Sequence, residues 1–257
     1  MRERNMLSTN VLKKQVMLED VNVPYKFSID RARNKLFFCI NADEFCDQSF
    51  RSAILDLDTG VASVVPSIRN GFASAVDNEN GAVFLGGSDG IFKYNYSSND
   101  IDKSPIIGQV DVFDMKFKDY LYFIDTFNLD LYLLKDEKKL AVASIDDHGI
   151  QHFTFAGNYL ILSNSNGLYY LDIENCEFGP VWFSNTVDNV RGLSTDINDV
   201  PYLVARDGIY SVHVDNMEVT KLISLDDGSA LDFDKNNNMV YSEGRSVIKL
   251  HFKEDNI

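Results

Sequence analysis

Uninterrupted apolar stretches are short throughout this chain: nowhere in its 257 residues does a run approach the ~18 residues that a membrane-spanning helix needs. That excludes a transmembrane helix and predicts a soluble protein. Positive charge is also scarce, with 24 Lys and Arg against 39 Asp and Glu, a net charge of -15 and a pI near 4.6. A chain so acidic repels phosphate backbones and anionic lipid, so neither nucleic acid nor a membrane is expected as a partner. Its short basic runs at 31–35 and 135–139 are interrupted and read as solvated turns. Proline numbers only 5, and no Pro/Gly/Ser-rich linker divides the chain. Residues 1–257 are therefore predicted to form a single domain, with 1–10 as a flexible tail.

The N-terminus, MRERNMLSTN, lacks the apolar core of a signal peptide. On the residues alone the chain is cytoplasmic, already processed, or has an altered start. Cysteine is limited to 3 residues. Cys39 and Cys46 are close enough in sequence to bridge and leave Cys176 over, or all stay buried thiols. A single sequon, Asn95-Tyr96-Ser97, is a glycosylation acceptor if the protein is secreted and a chance match otherwise.

What the chain does have is a repeat. Six alternating runs that end in a turn recur: PYKFSID at 24–30, GFASAVD at 71–77, VFDMKFK at 112–118, IQHFTFA at 150–156, VRGLSTD at 190–196 and GSALDFD at 228–234. Their last residues are 47, 41, 38, 40 and 38 positions apart, the period of a propeller blade. A second apolar run follows each, at 35–40, 82–87, 120–125, 159–164, 201–206 and 239–244. Third runs follow tight turns, and Asp89-Gly90, Asn166-Gly167 and Asp207-Gly208 predict type I′ hairpins there. Weaker outer strands are expected at 61–65, before Ile107, and at 140–145, 178–183 and 218–222.

The sixth repeat has no outer strand, because the chain ends shortly after its third run at 246–252. Residues 12–19, LKKQVMLE, belong to no repeat and are the natural donor of the missing strand. Pairing there removes an edge that would invite aggregation. The predicted fold is all-β: a six-bladed β-propeller whose N-terminal strand closes the last blade. Small residues in the inner strands, Ser28, Ala73, Ala75, Gly192, Ser194 and Ala230, suit the crowding near a propeller axis. A β-sandwich does not account for six copies of one unit.

Chemical motifs are few. Gly86-Gly87-Ser88-Asp89-Gly90 fits the G-x-S-x-G pattern of a nucleophile elbow, but that device needs a helix after the serine and here a strand follows. His148, His152, His213 and His251 show no paired ligand spacing, and no CxxC accompanies them. No catalytic residue, metal site or cofactor is predicted. Trp182, the sole tryptophan, is expected to pack between blades.

Propeller sites commonly lie where the inner strands begin. One ring of equivalent positions there holds Tyr25, Phe72, Phe113, Gln151, Arg191 and Ser229, and the next holds Lys26, Ala73, Asp114, His152, Gly192 and Ala230. Three aromatics face a polar arc that includes His152 and Arg191. The ligand-binding candidates are Tyr25, Lys26, Phe72, Phe113, Asp114, Gln151, His152 and Arg191, suited to stacking a flat aromatic molecule and pairing its carboxylate with Arg191. The bland alternative is that the aromatics are packing and that Asp114 merely pairs with Lys26 or His152. A hard metal ion would want several converging oxygens, and these rings offer one carboxylate beside two cations. The six-bladed metal-dependent lactonases, the senescence-marker-protein and gluconolactonase group, are thus the enzymatic alternative, without their acidic and amide ligand set at these positions. Asp232, deeper on the register of Asp114, is the one further candidate ligand.

Residues 21–41 (VNVPYKFSIDRARNKLFFCIN) and 71–95 (GFASAVDNENGAVFLGGSDGIFKYN) resemble the insect, lepidopteran, ommochrome-binding proteins, and the likeness runs through most of the chain. Those are haemolymph carriers of tryptophan-derived phenoxazinone pigments. The resemblance implies a secreted carrier of a planar, carboxylate-bearing aromatic such as xanthommatin, and the protein is expected to be a monomer. A propeller that binds protein partners on its acidic face is the remaining alternative.

Overall fold

The computed structural model describes residues 11–42, 49–145, 148–174, 179–184 and 187–252. All regular elements among them are strands, gathered into six sheets that follow one another as the blades of a propeller. The chain starts with β1 (Val11–Leu18), which stands outside the repeats. Blade one contains β2 (Tyr25–Asp30), β3 (Lys35–Asn41), β4 (Phe50–Asp56) and β5 (Ala62–Val64). Blade two contains β6 (Ala73–Asp77), β7 (Ala82–Gly87), β8 (Gly90–Asn95) and the short β9 (Asp100–Ile101) and β10 (Ile107–Gly108), both paired to β8. Blade three is β11 (Val112–Phe117), β12 (Leu121–Asp125), β13 (Leu131–Lys135) and β14 (Lys138–Ala143). Blade four is β15 (His152–Ala156), β16 (Tyr159–Asn164), β17 (Gly167–Asp172) and β18 (Val181–Ser184). Blade five is β19 (Val190–Thr195), β20 (Pro201–Ala205), β21 (Gly208–His213) and β22 (Glu218–Ser224). Blade six is β23 (Gly228–Phe233), β24 (Met239–Glu243) and β25 (Ser246–Phe252), and β1 lies antiparallel on β25 as its outer strand.

The apolar residues form six clusters, one at each blade interface. Phe27, Leu36 and Leu55 of blade one meet Val240 and Val247 of blade six. Tyr202 and Val204 meet Phe233 and Tyr241 between blades five and six. Alternation places one set of strand side chains on each blade face, and both faces are covered by a neighbour, so each repeat buries its core only when stacked. Near the axis Ser28, Ala73, Ala75, Ser194 and Ala230 are buried, as the crowding there requires.

The acidic composition has a local use in the turns. Asp77 Oδ1 accepts the backbone N–H groups of Glu79 and Asn80, Asp196 Oδ1 those of Asn198 and Val200, and Asp234 Oδ1 those of Asn236 and Asn238. Each closes the hairpin from an inner strand to the second strand by satisfying donors that strand pairing leaves over.

Two sequence expectations are corrected. The Asp-Gly and Asn-Gly turns are not type I′: Gly90, Gly167 and Gly208 open the third strands, and neither Ser88 nor Asp89 has the positive φ that type I′ demands. Gly90 is needed for another reason, a φ of 130° and a Cβ position only 2.2 Å from the Ile107 carbonyl oxygen. Trp182 does not pack between blades; it lies 51% exposed on β18. The Gly86–Gly90 motif is a β7–β8 hairpin, with Gly87 paired to Gly90. Cys39 is a buried free thiol, while Cys46, Cys176 and the tail 1–10 lie outside the described residues.

Candidate functional site

The inner strands β2, β6, β11, β15, β19 and β23 line the central channel, and four of them carry a β-bulge close to where they begin. Register shifts fall between Tyr25 and Ser28, Val112 and Asp114, Val190 and Gly192, and Gly228 and Leu231. The bulged residues include Lys26, Phe113 and Arg191. A bulge re-aims the side chain it carries, and Lys26 adopts a φ of 53°, rare for a residue with a Cβ.

At the mouth, Tyr25, Phe72 and Phe113 form a continuous, partly exposed arc. Ring centroids are 6.2 Å apart for Tyr25 and Phe72 and 5.5 Å for Phe72 and Phe113. Phe50, at the start of β4, extends it, 4.5 Å from Phe72. Sequence comparison of inner strands missed Phe50 because it comes from a third strand that follows residues 43–48, where no alternating pattern marks its start.

One level deeper, the Lys26 ammonium reaches from blade one to blades three and four. Nζ donates to Asp114 Oδ2 at 2.9 Å and lies 3.1 Å from His152 Nδ1, with its charge 4.6 Å from the centre of the Phe113 ring. The side chains of Lys26, Asp114 and His152 are 7%, 8% and 9% exposed. His152 Nδ1 is 3.7 Å from Asp114, too far for a good hydrogen bond, so the lysine joins the group. Burial, then the Lys26 charge, depresses the His152 pKa to about 4, leaving a neutral imidazole whose Nδ1 accepts from Lys26. Burial opposes ionisation of Asp114, yet Lys26 prevails and holds its carboxyl well below the usual range. Burial, opposed by Asp114, lowers the proton affinity of Lys26.

Arg191, on the far side of the ring, is engaged by its own chain: a guanidinium nitrogen lies 2.8 Å from Asp227 and 3.0 Å from the Gly228 carbonyl oxygen. That ion pair is partly exposed. Gln151 stands half-buried at the mouth, and its side chain has no hydrogen-bond partner among the described residues. The structure thus brings Tyr25, Phe72, Phe113, Lys26, Asp114 and His152 together, with Gln151 beside them, and Arg191, paired with Asp227, lines a small pocket with Lys26 and Asp114.

Beyond this layer the channel widens again. The third ring of equivalent positions, Ser28, Ala75, Lys116, Thr154, Ser194 and Asp232, lines a cavity of about 400 Å³ that opens where the inner strands end. The same repeat register, carried two residues further, would have found it. Asp232 is fully engaged by Ile29 N–H at 2.7 Å, Ser194 Oγ at 2.9 Å and Phe233 N–H at 2.9 Å. Among the described residues no three His, Cys, Asp or Glu side chains converge to hold a metal ion.

No family model matches the chain. It is 25% identical over 255 residues to the ommochrome-binding protein of Manduca sexta, covering 92% of this chain and 86% of that protein, and the family resemblance read from the sequence stands. Similar solved structures include a gluconolactonase from Xanthomonas campestris at 12% identity, with a TM-score of 0.73 and coverage of 95% of this chain and 92% of the other. A calcium-binding protein, regucalcin, from Agrobacterium tumefaciens is 10% identical, with a TM-score of 0.68 and coverage of 96% and 94%. At such identities these likenesses establish the propeller fold alone. No helix long and apolar enough to cross a membrane occurs among the described residues.

Proposed function

We propose that this protein is a carrier that binds a planar aromatic small molecule, an ommochrome pigment such as xanthommatin, at the mouth of its propeller channel. The supporting observation is the arc of Tyr25, Phe72 and Phe113, extended by Phe50, with centroids 4.5–6.2 Å apart and rings neither fully buried nor fully exposed. A flat conjugated ligand stacks on such faces and removes their remaining apolar surface from water. The kinship with a protein named for ommochrome binding supplies the ligand class, and through it an extracellular setting. Arg191 anchors the ligand carboxylate by exchanging Asp227 for it, a swap the partial exposure of that pair permits. The ion cluster beneath forms the floor.

Equilibrium dialysis against xanthommatin, followed by visible spectra, tests this. Near-stoichiometric, saturable retention is expected, weakened about tenfold by Phe72→Ala and by Arg191→Ala and strengthened by Asp227→Asn, which frees the guanidinium. Retention indifferent to both Phe72→Ala and Arg191→Ala would move the ligand elsewhere. No retention by the wild-type protein would end the pigment reading.

A further inference from the structure

We infer that the cavity where the inner strands end is a second binding site, for a small neutral polyhydroxylated molecule of about monosaccharide size. It lies beyond the Lys26–Asp114–His152 layer from the aromatic mouth and does not rest on the pigment reading. At about 400 Å³ it falls within the range of small-molecule sites.

The chemistry follows from where the hydroxyl protons go. Ser28 Oγ donates to the Ser74 carbonyl at 2.8 Å, and Ser194 Oγ donates to Asp232 at 2.9 Å. Thr195 Oγ1 donates to the Phe155 carbonyl at 2.5 Å, which leaves Thr154 to donate to Thr195 Oγ1 at 2.8 Å. All four protons are used within the protein, so the wall offers its ligand oxygen lone pairs. A ligand meeting that wall must bring donors of its own.

Lys116 supplies the complementary feature. It sits in the third ring beside Thr154 of the neighbouring blade, half-buried, and makes no ion pair or hydrogen bond with any described residue. Its ammonium offers donors to ligand oxygens. A free lysine would by itself suit an anion, but the lining also holds Asp77, Glu79, Asp119, Asp196, Asp199 and Asp232 against Arg31, Lys116 and Lys118. The acidic excess opposes a net negative ligand. Phe117 and Phe155 add apolar faces for the C–H side of a hydroxylated ring. Many donors, several acceptors, no charge and one apolar face describe a cyclic polyol or pyranose.

Saturation-transfer NMR and calorimetric titration with four probes separate the outcomes: myo-inositol, D-glucose, cyclohexanol as a ring with a single hydroxyl, and quinate as an anionic polyol. Expected is saturable binding of inositol or glucose at millimolar concentration, at least fivefold tighter than cyclohexanol or quinate. Lys116→Met should weaken it about fivefold with a melting temperature near that of the wild type, since Lys116 makes no ion pair or hydrogen bond with a described residue, and Thr154→Val should weaken it about as much while losing the Thr154–Thr195 hydrogen bond, with a melting temperature lower by a few degrees. Cyclohexanol binding as well as inositol would reduce the site to a greasy cleft, and quinate binding more tightly would make it an anion site; either overturns the assignment. So would polyol binding untouched by both substitutions, or no binding of either polyol up to about 50 mM.

Discussion

Lys26 shows how one side chain organises the centre of this molecule. Its ammonium is out of water, and the Asp114 carboxylate, the His152 ring and the faces of Phe113 and Phe72 make that tolerable. The cost appears as a pH dependence. The folded-state pKa of His152, about 4, lies below the 6.5 of an unperturbed histidine. As pH falls from about 6.5 towards 4 the unfolded chain takes up a proton that the native ring refuses, so stability is lost across that window, on the order of 3 kcal/mol. Below it the Asp114 carboxylate, whose pKa is depressed, adds its own loss as the unfolded chain protonates. Urea unfolding between pH 7 and 4 should show this decline, and His152→Asn, which keeps an acceptor for Lys26 without titrating, should flatten it; an unchanged slope would place the titration elsewhere. All three residues were visible in the sequence as equivalent positions of the first, third and fourth repeats. That Asp114 pairs with Lys26 or His152 was among the readings the sequence allowed; that all three join was not legible, because Lys26 reaches its partners through a bulge, and an extra residue in one strand leaves no mark on a pattern of alternation.

Among the elements, β1 carries the closure of the ring. It comes from the start of the chain and pairs along β25, from Val11 opposite Phe252 to Leu18 opposite Val247. Without it the last blade would present the unpaired edge of β25. Removing residues through Leu18 should lower the melting temperature by about 10 °C or more and give concentration-dependent association in light scattering, the exposed edges pairing between molecules. A truncated chain that stayed monomeric with an unshifted melt would show that closure depends on packing at the blade interface and not on the β1 ladder. Third strands β4 and β13 and the divided outer strand of blade two were the least legible elements. In blade two the outer pairing is split between β9 and β10 with Pro105 between them, and proline cannot contribute a ladder N–H.

For the molecule as a whole, the net charge of -15 is a source of self-repulsion spread over a surface whose acids mostly sit in turns. Raising salt from about 10 mM to about 300 mM shortens the Debye length several-fold and should raise the melting temperature by a few degrees. A fall would mean that exposed ion pairs such as Lys14–Glu243 and Lys221–Asp207 outweigh the repulsion. The repeat period, the number of blades and the donor of the closing strand follow from sequence alone, because each blade is built from local hairpins whose alternation and turn residues are written in order along the chain. What only the tertiary structure decided is the arrangement across the axis: the pairing of Arg191 with Asp227, the joining of Lys26, Asp114 and His152 in one cluster, and the placing of Lys116 beside the buried hydroxyls of the cavity. Those contacts join residues from different blades, and their geometry depends on bulges, inter-blade angles and the direction of each hydroxyl proton, none of which a periodic pattern encodes.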